Sequence, residues 1–181
     1  MSTATLNSGE FSGVEWAVMT LAQHIHATLE MPMFVVNAYL ADLEDADLFV
    51  RPLASMNHLA WQLGHLITSE NFHINQVCPG GMPALPKGFA DEYSKETAVL
   101  DDASRFRPKA EYLSLMREQR TATLSLLDGL SDDDLSQPSP ESIRYFGPTI
   151  GSVFAGESAH WMMHVGQWSV IRRKLGKPPL F

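Results

Sequence analysis

The chain has 181 residues, 45% of them hydrophobic, and carries 13 basic against 21 acidic residues for a net charge of -8. That length suits one domain with a real core, and the acidic balance removes the main attraction for nucleic-acid phosphates. The single Cys78 excludes an internal disulfide and points to a reducing, cytoplasmic setting; no stretch approaches the roughly 20 apolar residues that a membrane helix needs.

Met1 to Gly9 lack the basic start and apolar core of a signal peptide, and residues 1–12 are expected to form a flexible tail ahead of a single domain over 13–181. Four long segments carry helical patterning and none shows sustained strand alternation. The first runs from about Gly13 to Leu43, where Pro32 should kink or restart it. The second runs from about Ser55, a plausible N-cap, to Val77, and stops at Cys78-Pro79-Gly80-Gly81. A long Pro/Gly-rich connection to about Arg107 follows, with room for a short helix near Asp91–Leu100; a crossover of that length can carry the chain from one end of a bundle to the other.

The third helix begins at Pro108 and continues to Leu127, with Tyr112, Leu115, Met116, Leu124 and Leu127 as its apolar stripe. Ser131 to Leu135 reads as a capped turn. The fourth helix spans about Thr149 to Leu175, with Gly176 as its C-cap and Arg172, Arg173 and Lys174 complementing the helix dipole. The expected fold is all-α: a four-helix bundle with a long crossover between helices 2 and 3.

Two histidines on the fourth helix, His160 and His164, lie four residues apart. A four-residue step turns about 40° around the axis, so both imidazoles leave one face, a turn apart, and can share one metal ion. Glu157 and Gln167 fall in the same sector of roughly 100°. Buried polar groups in that sector need partners, which a metal with ordered outer hydrogen bonds supplies. On the second helix His65, deep in the helix and next to Gly64, is the natural third ligand. His58 lies two turns earlier, where it lines the pocket or sits satisfied at the surface. His73 points roughly 80° away from His65. His24 and His26 lack ligand-like spacing. Trp61, Trp161 and Trp168 flank these positions and either shape a dry pocket or pack in the core.

The stretch Leu59-Ala60-Trp61-Gln62-Leu63-Gly64-His65-Leu66 resembles the second-helix His motif of the DinB-like (YfiT-like) metalloproteins. His160-Trp161-Met162-Met163-His164-Val165-Gly166-Gln167 resembles that family's fourth-helix motif, and Arg172 to Pro178 its ending; an extra N-terminal segment departs from the pattern. The resemblance implies a four-helix bundle with a crossed connection, often homodimeric. It implies a divalent metal, zinc or nickel before iron, on His65, His160 and His164. It also implies a small-molecule substrate and a low-molecular-weight thiol, as in thiol S-transferases and a mycothiol-dependent isomerase. The expected function is therefore a metal-dependent enzyme that activates a thiol cosubstrate or water, with Glu157, Gln167, His58 and Trp61 in the outer shell or pocket.

Two alternatives use the same residues. Glu157-Ser158-Ala159-His160 and Glu70-Asn71-Phe72-His73 are both Glu-x-x-His, the pattern of di-iron bundles, with Glu118 and either Glu30 or Glu15 completing the set. The other is a non-catalytic, metal-stabilised module for ligand binding or dimerisation.

Overall fold

The structure is a computed structural model that describes residues 19–181. Six helices follow in order: α1 (Leu21–Leu40), α2 (Leu59–Val77), α3 (Phe89–Glu92), α4 (Lys109–Asp128), α5 (Asp132–Ser136) and α6 (Ile150–Lys174). There is no strand among the described residues; one isolated bridge joins Pro138 and Thr149. Contacts run α1 to α6, α6 to α2, α2 to α4 and α4 back to α1, closing a four-membered ring of long helices.

Two apolar clusters mark the ends of the bundle. One contains Leu59, Leu63 and Leu66 of α2, Tyr112 and Met116 of α4, and the ends of α1 and α6 at Val36, Leu40, Trp168 and Ile171. The other contains Ala22, Ile25 and Leu29 of α1, Val153 and Phe154 of α6, and the ends of α2 and α4 at Ile74 and Leu127. Thus α1 and α6 run one way and α2 and α4 the other. The connection 78–108 must return the chain along the bundle before α4 can start, which is the crossover expected between the second and third long helices. It packs as it goes: Phe89 and Tyr93 are buried in the first cluster. Gly64 on α2 makes room for it, because a Cβ there would overlap the Tyr93 ring.

Local signals explain the boundaries. Thr20 and Gln23 form a capping box, so α1 begins at Leu21; the Gly13–Val18 part of the expected first helix lies outside the described residues. Pro32 sits inside α1 without ending or restarting it. Its missing N–H would leave the Thr28 carbonyl without a donor, and the Ser158 hydroxyl of α6 donates to that carbonyl at 2.7 Å. The cap of α2 is His58, not Ser55: His58 Nδ1 accepts from the Trp61 N–H at 3.1 Å. The imidazole does the work of a capping hydroxyl, and residues 55–57 stay outside the helix. Thr149 and Ser152 box the start of α6, and Gly176 turns its end with φ +70°. No described helix is long and apolar enough to cross a membrane.

Candidate metal centre

The antiparallel packing of α2 against α6 sets His65 opposite the turn between His160 and His164. Ring centroids are 5.2 Å apart for His65–His160, 5.4 Å for His65–His164 and 5.1 Å for His160–His164. One ligating nitrogen from each lies within 4.8 Å of the others, and among the described residues this is the one group of three or more such side chains that could hold an ion. Three nitrogens at that spacing are candidates to share one ion. Burial, followed by the nearness of the other histidines, lowers His65 and His160 from 6.5 to about 4 and His164 to about 3. All three are therefore neutral at neutral pH, the form that ligates.

Each ring has a different support. Gln62 Oε1 accepts from Trp168 Nε1 at 2.9 Å, which identifies it as the amide oxygen, since an indole N–H only donates. His164 Nδ1 lies 3.0 Å from the same oxygen and must donate to it, which leaves His164 Nε2 with the free lone pair. The Gln62 amide nitrogen donates to Asn57 O at 2.7 Å and to Gln167 Oε1 at 3.2 Å. His65 stacks on Trp61 at 4.9 Å and 9°, and Trp61 is anchored to the crossover by Nε1–H donation to Ser94 O and Thr97 Oγ1. His160 Nδ1 is buried and has no partner, an unusual state for a buried nitrogen and one that ligation or an outer-sphere contact would relieve. The donor set thus fits a divalent ion: three neutral imidazoles suit zinc, nickel, copper or iron.

A family model described as the DinB superfamily matches residues 35–168. This chain belongs to the DinB superfamily. The fold is similar to that of a conserved protein from Enterococcus faecalis, whose crystal structure matches with a TM-score of 0.65 at 16% identity, over 88% of this chain and 100% of that one. No curated protein matches the chain.

Within this DinB-superfamily bundle, several residues singled out from the sequence have other roles. Glu157 is fully buried, but its Oε1 lies 2.7 Å from His73 Nδ1 and it makes no hydrogen bond to any of the three ligand candidates. The register of α2 against α6 places it opposite His73, about two turns along α2 from His65. His58 is fully buried with both nitrogens used, Nδ1 on the Trp61 N–H and Nε2–H donating to Leu100 O at 3.0 Å. It is a helix cap that ties α2 to the crossover, and it does not sit at the surface. Gln167 reaches the centre only through Gln62. The residue that orients His164 is Gln62, which sequence reasoning did not single out although it precedes His65 by one turn as a polar side chain in an apolar run.

Among the described residues the two-iron set is not assembled. Glu30 and Glu118 are exposed, Glu15 lies outside the described residues, and Glu70 is held by Arg120 at 2.9 Å, Thr123 Oγ1 at 2.7 Å and Trp161 Nε1 at 2.9 Å. Cys78 is half-buried at the end of α2, and burial raises its thiol pKa. His24 is exposed, and His26 lies 2.8 Å from Asp128 Oδ1.

Proposed function

We propose that this chain is a divalent-metal-dependent enzyme in which His65, His160 and His164 hold one ion and a thiol cosubstrate or water is activated for attack on a small electrophile. The observation that carries this reading is three neutral imidazoles converging as a group that no carboxylate or thiolate of the described residues joins. Three protein ligands leave a position open for a reacting molecule, as catalytic sites do and four-ligand structural sites do not. The chemistry a divalent ion supplies at such a place is Lewis acidity, which makes water or a thiol a better nucleophile near neutral pH. The chain's own contribution is orientation: Gln62 holds the His164 tautomer and Trp61 holds the plane of His65. Zinc or nickel suits an all-imidazole set. A cytoplasmic setting and a homodimer are part of the same reading, and exposed Met31, Phe34, Met162 and Met163 on the packed pair α1 and α6 support the dimer.

The test is elemental analysis of purified protein and of His164→Ala. Wild type should carry about one zinc or nickel ion per chain and the variant close to none; equal content in the two removes the proposal. Chelator then separates catalysis from support. If metal removal lowers the melting temperature and the metal-loaded protein transfers no thiol and hydrolyses no ester, the ion is structural.

A further inference from the structure

Further along the α2–α6 seam, a second line of polar side chains runs from the interior to the surface. It begins at the fully buried Glu157, whose Oε1 is 2.7 Å from His73 Nδ1. His73 is 5% exposed, and its Nε2 lies 3.2 Å from the hydroxyl of Tyr145, a residue 76% exposed. The line is unbroken, and both imidazole nitrogens are engaged in it. An imidazole so held can take a proton at one nitrogen while releasing one at the other, exchanging tautomers.

The loop that presents Tyr145 is built to stay in place. Ser139 N–H donates to Pro148 O at 3.1 Å, the Ile150 N–H donates to Gln137 O at 2.9 Å, and Ile143 is fully buried beneath the loop. Next to Tyr145, Phe146 stacks on His73 at 3.9 Å and meets His160 edge-on at 5.9 Å, so one ring touches both the line and the three-histidine centre. Gly156 on α6 admits that ring, because a Cβ there would press into it.

Two further features set the line apart from an ordinary buried pair. Glu157 Oε2, one turn before His160, is buried and has no partner. The charge state is also unusual. Burial and the neighbouring Glu70 of α2 push Glu157 well above the carboxylate range, with Arg120 of α4 opposing, while burial lowers His73 to about 4. Burial thus works against charge on both partners, which favours a hydrogen bond between acid and imidazole over an ion pair.

We propose that Glu157, His73 and Tyr145 form a proton relay that links the interior of the α2–α6 seam, beside the three histidines, to solvent. Outward, the Glu157 carboxyl passes its proton to His73 Nδ1, His73 Nε2–H passes its own to the Tyr145 oxygen, and the Tyr145 hydroxyl proton goes to water. Glu157 ends as a carboxylate, solvent gains one proton, His73 has exchanged tautomers, and no electron moves. The Glu157 carboxylate can then take up a proton from the interior, and the inward passage is the reverse. In its use the relay rests on the function proposed above, because activating a thiol or water liberates a proton that must leave; the path itself belongs to the metal-free chain.

Tyr145→Phe tests the relay without disturbing the fold, since it removes one exposed hydroxyl. In metal-free protein, nitrogen-15-edited NMR should show exchange of the His73 imidazole proton with water slowed on the order of tenfold or more. The His164 Nδ1 proton, held by Gln62, should exchange at an unchanged rate. Equal rates at His73 in wild type and variant overturn the relay and leave a buried structural pair. A second measurement follows proton release by stopped flow with a pH indicator when 2-mercaptoethanol is added to zinc-loaded protein. Release should be slower in Tyr145→Phe and recover with added imidazole buffer; release equally fast in both proteins counts against the relay. Slowed exchange in a protein that binds no zinc keeps the relay and removes the metal-enzyme reading. Zinc binding with unaltered exchange does the opposite.

Discussion

At the level of Trp161, α2 and α6 bury a carboxylate, Glu70, that is met by Arg120, Thr123 and Trp161, with the Arg120 guanidinium also over the Trp161 ring. Beside it, the same two helices bring together three imidazoles with no hydrogen bond among them. Both levels hold polar groups in an apolar bundle. In the first, the two charges answer each other and Glu70 takes two further donors, with the Arg120 Nε–H left over. In the second, burial and mutual proximity keep the rings neutral, and lone pairs are left over. A buried polar cluster that satisfies itself holds a fold together; one that leaves acceptors unused is suited to a ligand.

Acid should separate the two levels most strongly. His65, His73 and His160 titrate at about 4 in the folded chain and His164 at about 3, against an ordinary 6.5. Between these values the unfolded chain binds more protons than the folded one, so the contribution of these four groups is complete above about pH 6.5 and is lost as pH falls toward 4. Glu157, raised by burial, has the opposite sign in part of that window, but one group opposes four. Denaturation midpoints in chelator should drop steadily from pH 7 to pH 5; a flat profile would mean that the imidazoles are solvated.

Arg120→Met should follow in size. It strands Glu70 as a buried carboxylate without its cation, at a cost of about 3–5 kcal/mol in denaturant titrations. His160→Ala, which removes a ring whose Nδ1 makes no hydrogen bond, should cost the metal-free protein less than about 1 kcal/mol. Equal losses would erase the contrast between the levels. Gln62→Leu frees the His164 ring and should weaken metal affinity by about 10–100-fold, read by competition with a chelator. Gly64→Ala forces a methyl into the Tyr93 ring and should destabilise by about 1–3 kcal/mol without changing the metal stoichiometry. A loss of stoichiometry in that variant would mean that the crossover helps to set His65.

Much of the architecture was legible along the chain. The stops at Cys78-Pro79-Gly80-Gly81 and Gly176, the start at Thr149 and the length of the 78–108 connection are local statements about backbone conformation, and the long helices end close to where they place them. Ser55 misled because its side chain is a common cap, whereas His58 caps only with its other nitrogen anchored at Leu100 on the crossover, a contact that sequence does not display. Glu157 shares a stripe with His160, yet its partner lies on α2.

The pairing of His160 with His164 on one face of α6 follows from the helical screw, and so does the alignment of Gln62 with His65 on α2. Those relations are set by a rise and a turn per residue and need nothing beyond the chain. Which residue stands across the seam depends on the register at which two helices pack, and that is decided by the fit of Trp61, Trp161, Trp168 and their neighbours over the whole core. For that reason the ligand candidates could be read from spacing. The tautomer of His164, the partner of Glu157 and the line from Glu157 to Tyr145 exist only in the folded bundle.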